Sequence, residues 1–331
     1  MKKAVLLLLL LLCSVVQAQR PNRLKVGLAL GGGGAKGAAQ VGVLRAIEQA
    51  GIPVDYIAGT SIGSIVGGLY ACGIRSEQLD TLFRSQHWMK LLTDSKSMTR
   101  NLPPRYNEDS LYLNGQIVHL SYTRDSRRMR RPGMIKGYAV MLRLDSLTRQ
   151  PDSIDFDNLP IPFRCVAVDA VDGQEVVLRS GNLPLAMRSS MSIPGAYKPI
   201  LVGDSTLLMD GGLLNNLPVD VVRDMGADIV IAVDLSTEKP GKVPRKMKRG
   251  KTYVANFFKW KRARPYLKKY NQNAEDADLY IHPDLKGYDA LDFTKKKIRK
   301  MLEIGDSTGR AAMPQLQELR RKIYQEEKEE S

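Results

Sequence analysis

The sequence predicts an α/β protein built on parallel strands. Short apolar runs alternate with helix-length amphipathic stretches. Two of these runs, Leu24–Leu30 and Val54–Ala58, are separated by a single helix pattern, the spacing of parallel strands joined by a crossover helix. A third run, Asp228–Asp234, is almost wholly apolar between its ends, as in a strand covered on both faces.

The chain of 331 residues is long enough for one large domain or two small ones. With 43% hydrophobic and 26% charged residues the composition is that of a globular protein, which excludes global disorder. The formal net charge of +15 favours acidic partners, either anionic lipid or nucleic acid.

Residues 1–18 read as a secretory signal peptide. Lys2 and Lys3 form its basic start, Leu6–Leu12 is an unbroken leucine run, and Val16-Gln17-Ala18 offers a small-residue cleavage site. A lipoprotein acylated at Cys13 is the rival reading, but Leu12 is bulky where such a site needs a small residue. The apolar stretch is too short for a span of about 18 to 20 residues. Export to the periplasm, the outer membrane or the exterior is therefore expected. Cys72 and Cys165 make neither a disulfide framework nor a zinc site and are expected as buried thiols.

In order, the Leu24–Leu30 strand runs into Gly31-Gly32-Gly33-Gly34-Ala35-Lys36-Gly37, and a helix pattern follows from Ala38 to Gln49. The glycine loop has three readings. A dinucleotide fingerprint needs an acidic residue ending the next strand, where Gly59-Thr60-Ser61 stands instead. A phosphate loop needs Gly-Lys followed by Ser or Thr, an order that Lys36-Gly37-Ala38 reverses. An oxyanion hole asks only for unshielded N–H groups at a helix start, and this loop offers them at Gly32, Gly33 and Gly34. A plain turn needs nothing more.

The second strand ends in Gly59-Thr60-Ser61-Ile62-Gly63, with a small-residue helix pattern after it. In G-x-S-x-G at a strand-to-helix turn the serine stands on a sharp, strained turn, with its hydroxyl clear of the sheet. Further helices are expected at Ser76–Phe83 and Gly137–Leu147, with strand-like pieces at Ser110–Leu113 and Gln116–Leu120. Five arginines between Arg124 and Arg131 read as a solvated loop or an anion site. Strands follow at Ile161–Val168, Glu175–Leu178 and Leu207–Met209, with helices at Gly181–Ser192 and Val219–Met225. Residues 239–269 carry thirteen Lys or Arg, no acid, and interleaved aromatics. Such a segment suits an anionic membrane surface or a mobile, solvated insertion; with no nucleic-acid motif beside it, no nucleic acid is expected as partner. A last strand is expected at 278–282, then a helix keeping Leu316, Leu319 and Ile323 on one face, then an acidic end.

A serine nucleophile needs a base. His87, His119 and His282 are the only histidines, and none has a glycine-flanked strand-end context; His282 is the best placed. Asp210 follows an apolar run and precedes Gly211 and Gly212, at a strand end of the kind that lines the crevice of parallel α/β sheets. It fits a base acting directly on Ser61, and equally a turn aspartate bonding its own backbone.

Three ordered motifs, Gly32-Gly-Gly-Ala-Lys-Gly37, Gly59-Thr-Ser-Ile-Gly63 and Asp210-Gly-Gly212, resemble those of the patatin-like phospholipase family. Ser190–Gly195, Asp210–Pro218 and Met225–Asp234 are similar to stretches of its bacterial, secreted members. The resemblance covers roughly residues 24–305. It implies a three-layer α/β/α sandwich with a mostly parallel central sheet. It also implies a dyad of Ser61 as nucleophile and Asp210 as base, oxyanion donors from the glycine loop, and no metal or other cofactor. Lys36, Gly37, Gly59, Gly63, Gly211 and Gly212 would support these motifs; Lys36 would either draw an anionic head group or be solvated. The implied organisation is an acyl hydrolase domain over 19–305 with the basic insertion inside it, then a terminal helix and acidic tail over 306–331. The substrate would be a phospholipid or other acyl-ester lipid. A lipid acyltransferase using the same dyad and a non-enzymatic membrane-binding protein are the alternatives.

Overall fold

The computed structural model describes residues 23–99, 110–113, 116–119, 135–202, 206–236 and 266–325. The expected leader, the arginine cluster, most of the basic segment and the acidic end lie outside the described residues. In chain order the strands are β1 (Val26–Leu30), β2 (Tyr56–Thr60), β3 (Ser110–Leu113), β4 (Gln116–His119), β5 (Ile154–Asp155), β6 (Phe163–Asp169), β7 (Gln174–Leu178), β8 (Ser180–Gly181), β9 (Ile200–Val202), β10 (Thr206–Asp210), β11 (Ile229–Val233) and β12 (Leu279–Ile281). The helices are α1 (Ala38–Gln49), α2 (Ile62–Ala71), α3 (Ser76–Ser85), α4 (Trp88–Leu92), α5 (Lys96–Thr99), α6 (Tyr138–Thr148), α7 (Leu183–Ser190), α8 (Val219–Asp224), α9 (Tyr266–Glu275) and α10 (Lys295–Gln325).

One sheet holds all of these strands, in the order β12-β11-β1-β2-β6-β10-β9-β4-β3-β8-β5, with β7 also on β6. The run from β12 to β6 is parallel, as the apolar runs predict. Every pairing beyond it is antiparallel. Side chains alternate between two cores, as strand geometry requires. Leu28, Leu30, Ile231 and Val233 join the larger one, with α1, α2, α7 and α10. Ala29, Ala58, Val230 and Ala232 join the smaller one, under α8 and Tyr270 of α9. The three layers are thus unequal, and small residues on the second face let α8 lie close.

The strand β6 sets the geometry of the site. Its Cys165 and Val166 pair with β2 on one edge and β7 on the other. Its Ala167, Val168 and Asp169 pair with β10 and again with β7. Since a strand has only two edges, β2 and β10 share one. They approach along it from opposite directions and stop side by side, Thr60 opposite Val166 and Asp210 opposite Ala167. Asp210 therefore does not end a parallel strand, as the crevice rule suggests; it ends an antiparallel one. It reaches the same place because β6 overshoots β2.

The expected division at residue 305 falls inside a helix. The helix α10 starts at Lys295 and runs unbroken across that point, carrying Pro314. A Cβ on Gly305 would lie 2.1 Å from the Ala39 carbonyl oxygen, and one on Gly42 would lie 2.2 Å from the Asp306 nitrogen. The backbones of α1 and α10 touch there. The helix expected at Gly181–Ser192 is shorter than its pattern: Gly181 belongs to β8, and the Asn182 side chain caps α7 at the Leu185 N–H.

Candidate active site

Ser61 sits between β2 and α2 with φ 55° and ψ −123°. This is a positive-φ conformation that L side chains rarely adopt, at a cost of about 1–3 kcal/mol. Close packing holds the turn. A Cβ on Gly59 would lie 2.3 Å from the Gly63 oxygen, and one on Gly63 would lie 2.2 Å from the Leu30 oxygen. Both pentad glycines thus let β1, β2 and α2 meet at the turn. The Ser61 N–H donates to Ser190 Oγ at 2.8 Å, and that hydroxyl donates to the Val166 carbonyl at 2.5 Å. Ser190, at the end of α7, thereby ties the turn to β6.

The Ser61 hydroxyl donates to Asp210 Oδ2 at 2.7 Å. Asp210 Oδ1 accepts from the Gly212 N–H at 2.8 Å. One carboxylate oxygen thus meets Ser61 and the other closes the Asp-Gly-Gly turn. Asp210 is 7% exposed and Ser61 5%. Burial drives the Asp210 carboxyl up to about 6; the bonds from Ser61 and Gly212 work against that rise. Gly211 is the close-contact residue behind it, since its Cβ would lie 2.3 Å from the Val166 oxygen.

Among the described residues the Ser61 hydroxyl is bonded to Asp210 and to no histidine. His282, the best placed in sequence, pairs through Nδ1 with buried Asp234 at 3.3 Å. Asp234 also accepts from Tyr270 at 2.5 Å and from Tyr280 and Ser236 at 2.7 Å each. These donors hold its carboxyl down at about 2 against burial, the largest single effect, which acts in the opposite direction.

The glycine loop divides by role. Gly32 is not a free donor, because its N–H is spent on the Asn216 carbonyl at 3.1 Å. The N–H groups of Gly33 and Gly34 have no acceptor among the described residues. Gly34 has φ 58° and packs on Ala290, whose oxygen would lie 2.3 Å from a Cβ there. Gly37 closes the turn against Ile62 of α2. Lys36 is not solvated but 8% exposed. Burial lowers its pKa, opposed by the nearby charges of Asp289, Asp234 and Asp292.

Asn215 and Asn216 were visible in sequence only as loop residues. Asn216 Nδ2 donates to the Gly32 oxygen at 3.3 Å, so the Asp210 loop and the glycine loop are laced in both directions. The Asn215 carbonyl accepts from Thr60 Oγ1 at 2.8 Å, and its side chain bonds Glu175, Asp220 and Asn273. Gln40 Nε2 holds the Gly31 carbonyl at 2.8 Å. Polar side chains close after an Asp-Gly-Gly turn were the one available signal.

Above the Ser61–Asp210 hydrogen bond opens an apolar cavity of about 220 Å³. Ser61 and Gly34 line it, with Ile65, Leu69, Leu144 and Phe293 among its walls. Such a cavity desolvates an apolar group bound beside Ser61.

A mixed α/β fold with a serine on a strained strand-to-helix turn, bonded to a buried carboxylate at the foot of an apolar cavity, defines the class. The family model for patatin-like phospholipase matches residues 28–223, more than half of the chain. The chain belongs to the patatin-like phospholipase family. Mouse patatin-like phospholipase domain-containing protein 6 is 34% identical over 248 residues, covering 74% of this chain and 16% of that protein. An uncharacterized NTE family protein of Mycobacterium tuberculosis is 33% identical over 217 residues, covering 66% of this chain and 51% of that one. The chain thus spans about a sixth of the mammalian relative and half of the mycobacterial one. Among solved structures, VipD from Legionella pneumophila aligns with a TM-score of 0.43 at 13% identity, over 86% of this chain and 67% of its own.

Proposed function

We propose that this protein is a serine lipid acyl hydrolase, of phospholipase A or lysophospholipase type. Ser61 Oγ attacks the ester carbonyl carbon as its proton passes to Asp210 Oδ2. The oxyanion accepts hydrogen bonds from the Gly33 and Gly34 N–H groups. Collapse breaks the ester C–O bond, and the Asp210 proton goes to the leaving alkoxide. Water then attacks the acyl-enzyme, giving its proton to Asp210, and the fatty acid leaves as Ser61 is restored. A carboxyl near 6 is ionised at neutral pH yet more basic than an ordinary aspartate, which suits this shuttle.

The single observation that carries the reading is the 2.7 Å bond from Ser61 to Asp210 at the foot of an apolar cavity. Fluorophosphonate labelling followed by peptide mass spectrometry tests it, together with ester hydrolysis by Ser61→Ala and Asp210→Asn. An adduct on Ser61 and loss of turnover in both variants are expected; undiminished turnover by folded Ser61→Ala sinks the mechanism. An acyltransferase would give transacylated product when an alcohol is supplied. Export is proposed on residues 1–18, and a mature chain starting at Gln19 would bear it out.

A further inference from the structure

Four large hydrophobic side chains stand out into solvent among the described residues: Met89, Val171, Val177 and Leu291. Val171 and Val177 belong to β7 and the turn before it. The other two are 202 residues apart in sequence, yet both line the cavity above Ser61. Met89, on α4, is 58% exposed, and Leu291, before α10, is 72% exposed. Their supports touch: the rings of Trp88 and Phe293 lie 5.6 Å apart. Single exposed apolar residues are ordinary, but two of them joined at one cavity mouth form a lip.

The segment carrying Leu291 is fixed. The Ala290 oxygen accepts from the Ala35 N–H at 2.8 Å, directly on the glycine loop. Of its acids, Asp289 is exposed and accepts from the Leu291 N–H at 3.1 Å, and Asp292 is paired with Lys297 at 2.6 Å. Lys90, beside Met89, and Lys295 and Lys296, just past Phe293, are exposed and have no acidic partner among the described residues. The lip is thus apolar at its edge and flanked by three exposed lysines against one exposed carboxylate, Asp289. That combination suits an anionic lipid interface, into which apolar side chains insert while lysines meet the head groups.

We infer that Met89 and Leu291 form a membrane-docking lip that seats the cavity mouth on an anionic phospholipid bilayer. This rests on the proposed lipid hydrolase reading, since it is lipid that such a mouth would face. Residues 289–293 lie beyond the stretch matched by the family model, so half of the lip is supplied from outside it.

The test is flotation of the full chain carrying Ser61→Ala, so that no lipid is consumed, with vesicles of phosphatidylglycerol and phosphatidylcholine. Partition is expected to exceed that to pure phosphatidylcholine and to fall at least tenfold with Met89→Asp and Leu291→Asp together. Equal partition of variant and parent, or no preference for the anionic vesicles, overturns the inference. A melting curve checks that the double variant folds. If it does not, Leu291→Trp serves instead: its added emission is expected to be quenched by brominated lipid, and no quenching overturns the inference. Docking that persists while the Ser61 protein hydrolyses no ester would count against the hydrolase reading and leave the lip standing.

Discussion

Ser61 and Asp210 are two ends of one hydrogen bond, and the protonation of Asp210 decides whether it can form with Ser61 as donor. As a base Asp210 must be ionised, so ester hydrolysis is expected to fall as pH drops through about 6, read as kcat/KM against pH. The stability effect has the opposite sense. The folded carboxyl titrates at about 6 and the ordinary one at 3.8, so folding favours its protonated form. That contribution is full below about 4 and is lost as pH rises through about 6. Asp210→Asn is therefore expected to stabilise the fold by about 1–3 kcal/mol at pH 8 and to do little at pH 4, measured by thermal melting. Both residues were legible in sequence because glycines flank them and apolar runs precede them. Asn215, Asn216 and Ser190 were not assigned roles, because their partners are carbonyls and side chains of distant loops, and such pairings leave no local pattern.

Strands and helices were read well where burial imposes a period. Every strand of the parallel run was anticipated within two or three residues. What an apolar run does not encode is direction: β6 and β10 look alike in sequence, yet one runs against the other. Nor does it encode length beyond its neighbour, and the overshoot of β6 is what brings Asp210 to Ser61. The expected division at 305 falls within α10, where Gly305 and Gly309 make no break in the helix. They serve contact with α1 instead. Gly42→Val places atoms where the Asp306 backbone lies and is expected to lower stability by about 1–3 kcal/mol or more, measured by urea unfolding.

At the scale of the molecule the two cores are unequal, and the larger depends on α10. Leu316, Leu319 and Ile323 are buried in it. Each contributes about 2 kcal/mol, together a large part of a typical net stability of 5–15 kcal/mol. A chain ending at residue 305 is accordingly expected to lose cooperative melting, followed by near-ultraviolet circular dichroism. Charge was the least informative property at this scale. It pointed to an acidic partner without saying where such a partner would sit.

The meeting of β2 and β10 on one edge of β6 also makes Ser61 a clock. Its bond to Asp210 spans 149 residues, and it cannot form until both strands have docked on the same neighbour. Contacts so distant in sequence close late, after local helices have formed. During refolding, fluorophosphonate reactivity is expected to lag the return of helical circular dichroism. Simultaneous recovery of the two signals would show that the β2–β6–β10 junction assembles with the helices rather than after them.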